Sequence, residues 1–313
     1  MLILRRREGN AVQKIIAMLM AVICLCLAFS VRAEEALDME HYLLIGTDGW
    51  GGKRVSSMRS DAIILATLDY GRDRIIFTSF ARDSIVKPSY RKGTVKLNTL
   101  VRSEEGEQAL VNYIEETYGV PISGRFIIDF SGTVDVINAI GGIEIELSQQ
   151  EVDYVNHHAG YYEGYPLSEG ISRLNGGQAL YYMRCRSLDN DFGRQGRQGK
   201  VLRAMVSKLS AITPVRALML VDDVLGMYRT DLPFGAQFEL AIKALALRKA
   251  QVQTHSLPAE GTYRYGKDSH GTSGLEFNLE ANQMLLAGML GLPAPEEQKE
   301  EIKQETKEAP EIP

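Results

Sequence analysis

The chain has 313 residues, 45% of them hydrophobic, and a formal net charge of -5. That suffices for a sizeable core in one large domain or two small ones. The acidic balance excludes a general nucleic-acid binder, which carries a basic surplus.

Three cysteines are present, and Cys24 and Cys26 fall in an N-terminal apolar run. Cys185 is left alone in the folded part, so no intrachain disulfide and no zinc-type Cys/His spacing is available. Arg5, Arg6, Arg7 and Lys14 precede an uncharged stretch from Ile15 to Val31. A basic segment followed by an apolar run of export length is an address label. Residues 1–33 are then either a signal peptide, with Val31 and Ala33 as the small residues before cleavage at Glu34, or a retained signal anchor. Both alternatives put the rest of the chain outside the cytoplasm, at the extracytoplasmic face of the membrane if the anchor is retained and secreted if it is cleaved before Glu34.

An α/β domain is expected over residues 40–292. Tyr42–Gly46 is a short apolar strand, followed by a Gly/Ser-rich loop that holds Trp50. Ala62–Asp69 and Arg74–Phe80 read as strands joined by a turn. Gly106–Gly119 is a helix stopped by Gly119, with Pro121 beyond it. Arg125–Asp129 is a strand, Ser131 is the expected cap of the next helix, and Ile143–Leu147 is another strand. His157 and His158 are expected in a solvated loop, and Gly160–Gly177 in a Tyr/Gly-rich loop. Helices follow near Gln178–Tyr182, Gly193–Ile212, Pro214–Leu225 and Phe234–Leu247. A strand at Gln251–Leu257 and a helix at Leu279–Leu290 close the domain. Residues 293–313, rich in Glu and Lys, are expected to be a disordered charged tail. Alternation of strands and helices implies a sheet covered by helices.

The segment YYMRCRSLDNDFGRQGRQ concentrates guanidinium in an otherwise acidic chain. Asp191 is a good cap for the amphipathic run that follows. Arg194 and Gln198 are i,i+4 neighbours in its first turns, with Arg197 to one side. A helix N-terminus attracts anions, and two arginines there strengthen the site. Arg184 and Arg186, if extended, point to one side while Cys185 packs inward. The alternatives are a solvated basic surface for the arginines and a reactive thiol for Cys185.

A second constellation lies at strand ends, where open α/β sheets place ligands. Asp48 follows the first strand, Asp61 opens the second, and Arg82 and Asp83 follow the third. Two carboxylates with open coordination suit Mg²⁺, with Mn²⁺ as a substitute, completed by phosphate oxygens. The plainer alternatives are a turn residue for Asp48 and a brace for a neighbouring arginine in the case of Asp83.

The motifs LLIGTD, MRSDAIILATLD, IIFTSFARDS, KLN, LNGGQALYYMRCR and DFGRQGRQ, in that order, resemble the LytR-CpsA-Psr family. The likeness covers about Tyr42 to Ser210. It implies a three-layer αβα sandwich with a central mixed sheet that encloses a lipid. It implies a phosphotransferase that moves an anionic glycopolymer, such as wall teichoic acid or capsular polysaccharide, from a polyprenyl-pyrophosphate carrier to peptidoglycan. Partners would be that lipid-linked polymer, peptidoglycan and membrane lipid, with no nucleic acid. Carried over position by position, Asp48 and Asp61 match the metal-side aspartates. Arg82, Arg184, Arg186, Arg194 and Gln198 match the pyrophosphate holders, and Arg59 and Lys96 match further charged positions. Arg82, Asp61 and Asp83 are the catalytic candidates, with Asp61 or Asp83 as the base. Where the family usually reads Pro-Arg-Asp, this chain has Ala81-Arg82-Asp83, and Gly199 replaces a frequent second glutamine. Two other functions share the same residues: a polyprenyl-pyrophosphate pyrophosphatase, and a lipid-pyrophosphate-binding scaffold or regulator without turnover.

Overall fold

The structure is a computed structural model, and it describes residues 39–48, 60–159, 166–185, 187–189, 191–213, 216, 219–220 and 223–293. The expected leader at 1–33, the Trp50 loop and most of the acidic tail lie outside these residues. Part of the expected helix at Pro214–Leu225 does too.

Six strands form one mixed sheet: β1 (Met39–Thr47), β2 (Ser60–Asp69), β3 (Arg74–Phe80), β6 (Gly124–Ile128), β9 (Arg229–Thr230) and β10 (Gln251–Leu257). Their order across the sheet is β10-β3-β2-β1-β6-β9. β1 pairs antiparallel with β2 and parallel with β6, and β3 pairs antiparallel with β2 and parallel with β10.

Strand side chains alternate between faces, and both faces of this sheet are apolar. Leu43, Ile45, Ile63, Leu65 and Ile76 face one side and pack on Leu110 and Ile114 of α1 (Glu107–Tyr118). Leu286 and Leu290 of α7 (Leu279–Leu290) complete that layer. Tyr42, Ile64, Ala66, Ile75 and Phe77 face the other side. There they meet Leu202 and Val206 of α5 (Asp191–Ala211) and Leu240 of α6 (Phe234–Ala246). The result is the expected αβα sandwich. Each fully buried Leu or Ile contributes about 1.5–3 kcal/mol, so the central strands anchor everything attached to their ends.

A second core lies beside the sheet. It joins α2 (Phe130–Ala139), the hairpin β7 (Ile143–Leu147) and β8 (Gly170–Leu174), α3 (Gln149–His158) and α4 (Gly176–Arg184) to α5. Several expectations are corrected here. β8 lies inside the stretch read as a loop. His157 and His158 close a helix that begins with a reciprocal capping box between Ser148 and Glu151. Asp129, not Ser131, caps α2, accepting from the Gly132 N–H at 2.8 Å.

Two small pairs complete the description. β4 (Ile85–Val86) pairs with β5 (Val95–Lys96). A hairpin of β11 (Tyr263–Lys267) and β12 (Ser273–Phe277), unforeseen in the sequence, follows the central strands. Among the described residues, no helix is long and apolar enough to cross a membrane.

Candidate functional site

The carboxylates sit where the β1–β2 ladder breaks. Gly46 pairs with Ala62 and Thr47 with Ser60, so Asp61 is an extra residue in β2. Such a bulge bends the strand and re-aims a side chain. Asp61 lines a cavity there together with Asp48, which follows the last residue of β1.

The next strand end supplies the cation. Ala81, just past β3, donates its N–H to the Leu257 carbonyl at 2.7 Å, extending the β3–β10 pairing. A proline there lacks this donor. Arg82 then reaches Asp61, Nη1 to Oδ1 at 2.5 Å. Behind Arg82, Asp83 accepts from Lys96 Nζ at 2.9 Å and lies 3.4 Å from Arg82 Nε. Residues 97–98 clasp this turn through N–H bonds from Leu97 to the Ser84 carbonyl and from Asn98 to the Arg82 carbonyl. Burial pushes the Asp83 carboxyl up. Hydrogen bonds with Lys96 and Asp191, then the charges of Arg82 and Lys96, outweigh burial and hold it below the usual value.

The opposite wall comes from α4 and α5. An Asn175–Gln178 capping box starts α4, and the helix runs through Arg184 instead of leaving it extended. The Arg184 guanidinium lies 4.2 Å from the centroid of the Phe130 ring, a cation–π contact. Cys185 is buried, as expected from its pattern. Arg194 is buried in the first turns of α5, its Nη2 3.2 Å from Asp191 Oδ1. Asp191 was expected only as a cap. Instead its carboxyl pairs with Arg194.

Arg197 lies to one side of the Arg194–Gln198 pair, as expected, and is turned inward. Its side chain is 5% exposed. It donates to both Asp189 oxygens at 2.8 and 2.7 Å and to the Cys185 carbonyl at 2.7 Å. It therefore fastens the segment between α4 and α5. Gly193 permits this, because a Cβ there would lie 2.0 Å from Asp189 Oδ2.

These parts enclose one cavity of about 1030 Å³. Asp48, Asp61, Arg82, Arg184, Arg194 and Gln198 all line it. Lys96 and Asp83 do not line it; they stand behind Arg82. Arg59 and Arg186 fall outside the described residues. Away from the charged groups the walls are apolar: Ile64, Phe126 and Ile128 from the sheet, Ile137, Leu202 and Met205 from the helices. Tyr154 and His158 also line the cavity, their rings stacked with centroids 4.1 Å apart; His158 is exposed, as expected, but it ends a helix instead of lying in a loop. Among the described residues, no group of three or more His, Cys, Asp or Glu side chains is gathered for a metal. Two hard carboxylate oxygens on one wall still fit Mg²⁺, which takes one or two carboxylates and completes its shell with phosphate and water.

The sequence model of the LytR_cpsA_psr family matches residues 25–285 of the chain. Among curated proteins, the chain is 30% identical over 203 residues to polyisoprenyl-teichoic acid–peptidoglycan teichoic acid transferase TagU of Enterococcus faecalis (strain ATCC 700802 / V583). That match covers 64% of this chain and 64% of that protein. It is also 30% identical over 192 residues to the TagV transferase of Bacillus subtilis (strain 168), covering 58% of this chain and 48% of that protein. The chain thus spans between about half and two thirds of these relatives. A solved structure of TagT bound to LIIa-WTA shares the fold with a TM-score of 0.65 at 23% identity. The match covers 82% of this chain and 92% of that one.

Proposed function

Because this chain belongs to the LytR_cpsA_psr family, we propose that it transfers an anionic glycopolymer, of wall teichoic acid or capsular type, from a polyprenyl-pyrophosphate carrier to peptidoglycan. The observation that carries this reading is the split character of the cavity. Guanidinium groups and carboxylates from two facing walls line part of it, and hydrocarbon side chains line most of the rest. A polyprenyl pyrophosphate has the same split. The cavity lies at the upper end of the range of ligand pockets, about 300–1,000 Å³. The names of the TagU and TagV relatives, both teichoic acid transferases, support the same substrate class.

In this reading Arg82, Arg184, Arg194 and Gln198 hold the pyrophosphate. Guanidinium is suited to that work, since its planar fork meets two phosphate oxygens at once. Phe130 packs against the Arg184 guanidinium and helps hold it in place. A sugar hydroxyl of peptidoglycan attacks the phosphorus that carries the glycopolymer. A new P–O bond forms, the bond to the bridging oxygen breaks, and polyprenyl phosphate leaves with the electron pair. The hydroxyl proton passes to a carboxylate. Asp61, which lines the cavity, suits that step only where the metal does not fully occupy its carboxylate. Asp83 does not, because Lys96 and Asp191 hold its carboxyl low, so we assign it to bracing Arg82. Asp48 and Asp61 would hold Mg²⁺, whose charge, when bound, neutralises the phosphate oxygens. The apolar walls exclude water around the ion pairs and so strengthen them.

The test is to incubate the full chain with a polyprenyl-pyrophosphate glycan, peptidoglycan fragments and Mg²⁺. The expected product is polymer on the fragments and free polyprenyl phosphate. Lipid cleavage without polymer transfer would make the protein a pyrophosphatase. Binding without any product would make it a scaffold.

A further inference from the structure

Beside the charged residues lies a surface feature whose aromatic side chains do not line the cavity. Phe192 follows Asp191 in the first turn of α5. Its ring stacks on that of Tyr263 in β11, with centroids 4.8 Å apart and planes 23° apart. Tyr265, two residues along the same strand face, stands 6.4 Å from Tyr263 and edge-on to it. Tyr265 is 76% exposed. Arg264 points to the opposite face and pairs with Glu276 at 2.9 Å.

This hairpin is fixed against the site. Leu275 in β12, the cross-strand partner of Tyr265, donates its N–H to the Asp83 carbonyl at 2.9 Å. Gly274 allows the approach, because a Cβ there would lie 2.6 Å from the same carbonyl oxygen. Phe192 is fixed from the other direction. Its neighbour Asp191 pairs with Arg194, and the Phe192 ring itself stacks on Tyr263. Asp83 and Asp191 keep 23% and 33% of their side chains exposed. Aromatic rings thus border the solvent edge of the charged cluster, held by the backbone of the turn that carries Arg82.

We propose that Phe192, Tyr263 and Tyr265 form an acceptor subsite on which a pyranose ring of a glycan strand stacks, with Asp191 taking hydrogen bonds from its hydroxyls. The proposal rests on the transfer reading for its purpose. Its chemistry is independent of it. The face of an aromatic ring carries negative potential and accepts the weakly positive C–H groups of a sugar. A tyrosine of low conformational entropy loses little on being covered. The donor's hydrocarbon belongs in the apolar cavity, so an exposed platform beside the phosphate groups is where a second, water-soluble substrate can enter. A lipid would cover it with aliphatic chain. An adjacent carboxylate argues instead for a partner rich in hydroxyl donors.

The probe is a peptidoglycan tetrasaccharide released by a muramidase, mixed with the full chain and followed by saturation-transfer NMR and by titration. Saturation should reach the axial C–H protons of one ring most strongly. Tyr265→Ala should weaken tetrasaccharide binding about tenfold, the equivalent of one aromatic contact. Tyr265→Phe should stay within about twofold. Tyr265 is exposed, so neither change threatens the fold. Both variants should hold polyprenyl pyrophosphate as wild type does. In turnover, Tyr265→Ala should raise KM for the acceptor and leave that for the donor unchanged. Wild-type sugar affinity in Tyr265→Ala, or no saturation transfer to the unmodified protein, overturns the subsite. If the tetrasaccharide binds through Tyr265 and no polymer is ever transferred, the transfer reading fails and the glycan site stands.

Discussion

Replacing Arg197 by alanine removes three hydrogen bonds from a side chain that is 5% exposed. The two losses differ in kind. Asp189 keeps 38% of its side chain exposed, so its charge rehydrates and costs little. Cys185 is 1% exposed. Its carbonyl loses a charged donor, and an orphaned buried acceptor costs about 1–3 kcal/mol. A fully buried pair broken at one end costs about 3–5 kcal/mol, and the exposure of Asp189 lowers that figure. We expect a loss of about 3 kcal/mol in total. For a domain of this size that shifts the melting temperature by about 6–12 °C. The same change should weaken polyprenyl-pyrophosphate binding, because the loosened segment adjoins Arg184. Arg197→Lys should recover part of the stability by keeping a charge but not the fork. Thermal unfolding by circular dichroism measures this. A melting temperature within about 1 °C of wild type would refute the fastening role and return Arg197 to the surface.

Two further outcomes follow from the geometry. Burial pushes the His41 imidazole down to about 4 from 6.5, against the opposing charge of Asp69. The fold keeps the neutral form, so the stability His41 contributes is whole above pH 6.5, is lost as pH falls toward about 4, and is level below that. His41→Gln should flatten the melting curve against pH within that window, and an unchanged slope would assign the effect to another group. Asp61→Ala should abolish Mg²⁺-dependent turnover and leave the domain folded, because Arg82 keeps Asp83 as a partner when Asp61 is lost. Full activity in EDTA would remove the metal from the account.

How much was legible depended on whether a segment's burial showed in its own pattern. Arg74–Phe80 and Ile143–Leu147 match their strands because their apolar residues face the core. β8 was hidden because its pattern is mixed: Ile171 is 76% exposed, while Ser172 and Leu174 face inward. β11 carries tyrosines, Arg264 and Lys267 in place of aliphatic residues, and only pairing with β12 makes it a strand. Helix α3 was readable, since Ser148 and Glu151 spell a capping box, but the histidines at its end masked it. The site was legible as a set of charged residues and not as an arrangement. The bulge at Asp61 and the ring against Arg184 depend on neighbours distant in sequence. Arg197 shows the limit most clearly. Its spacing is that of a ligand-facing arginine's neighbour, and only the fold reveals that Asp189 and Cys185 hold it inside.

The account depends most on the arginines acting as one clamp around a pyrophosphate. The direct measurement is the equilibrium affinity of the full chain for a polyprenyl pyrophosphate and for the corresponding polyprenyl monophosphate, compared with Arg184→Ala, Arg184→Lys and Arg194→Ala. Each charged hydrogen bond contributes about 1.5–3 kcal/mol, or roughly ten- to a hundredfold in affinity. The clamp predicts that both alanine variants lose at least about tenfold for the pyrophosphate and that Arg184→Lys loses nearly as much. It also predicts that the preference for pyrophosphate over monophosphate shrinks in all three. Unchanged affinity in these variants, or an equal loss for both lipids, would contradict it.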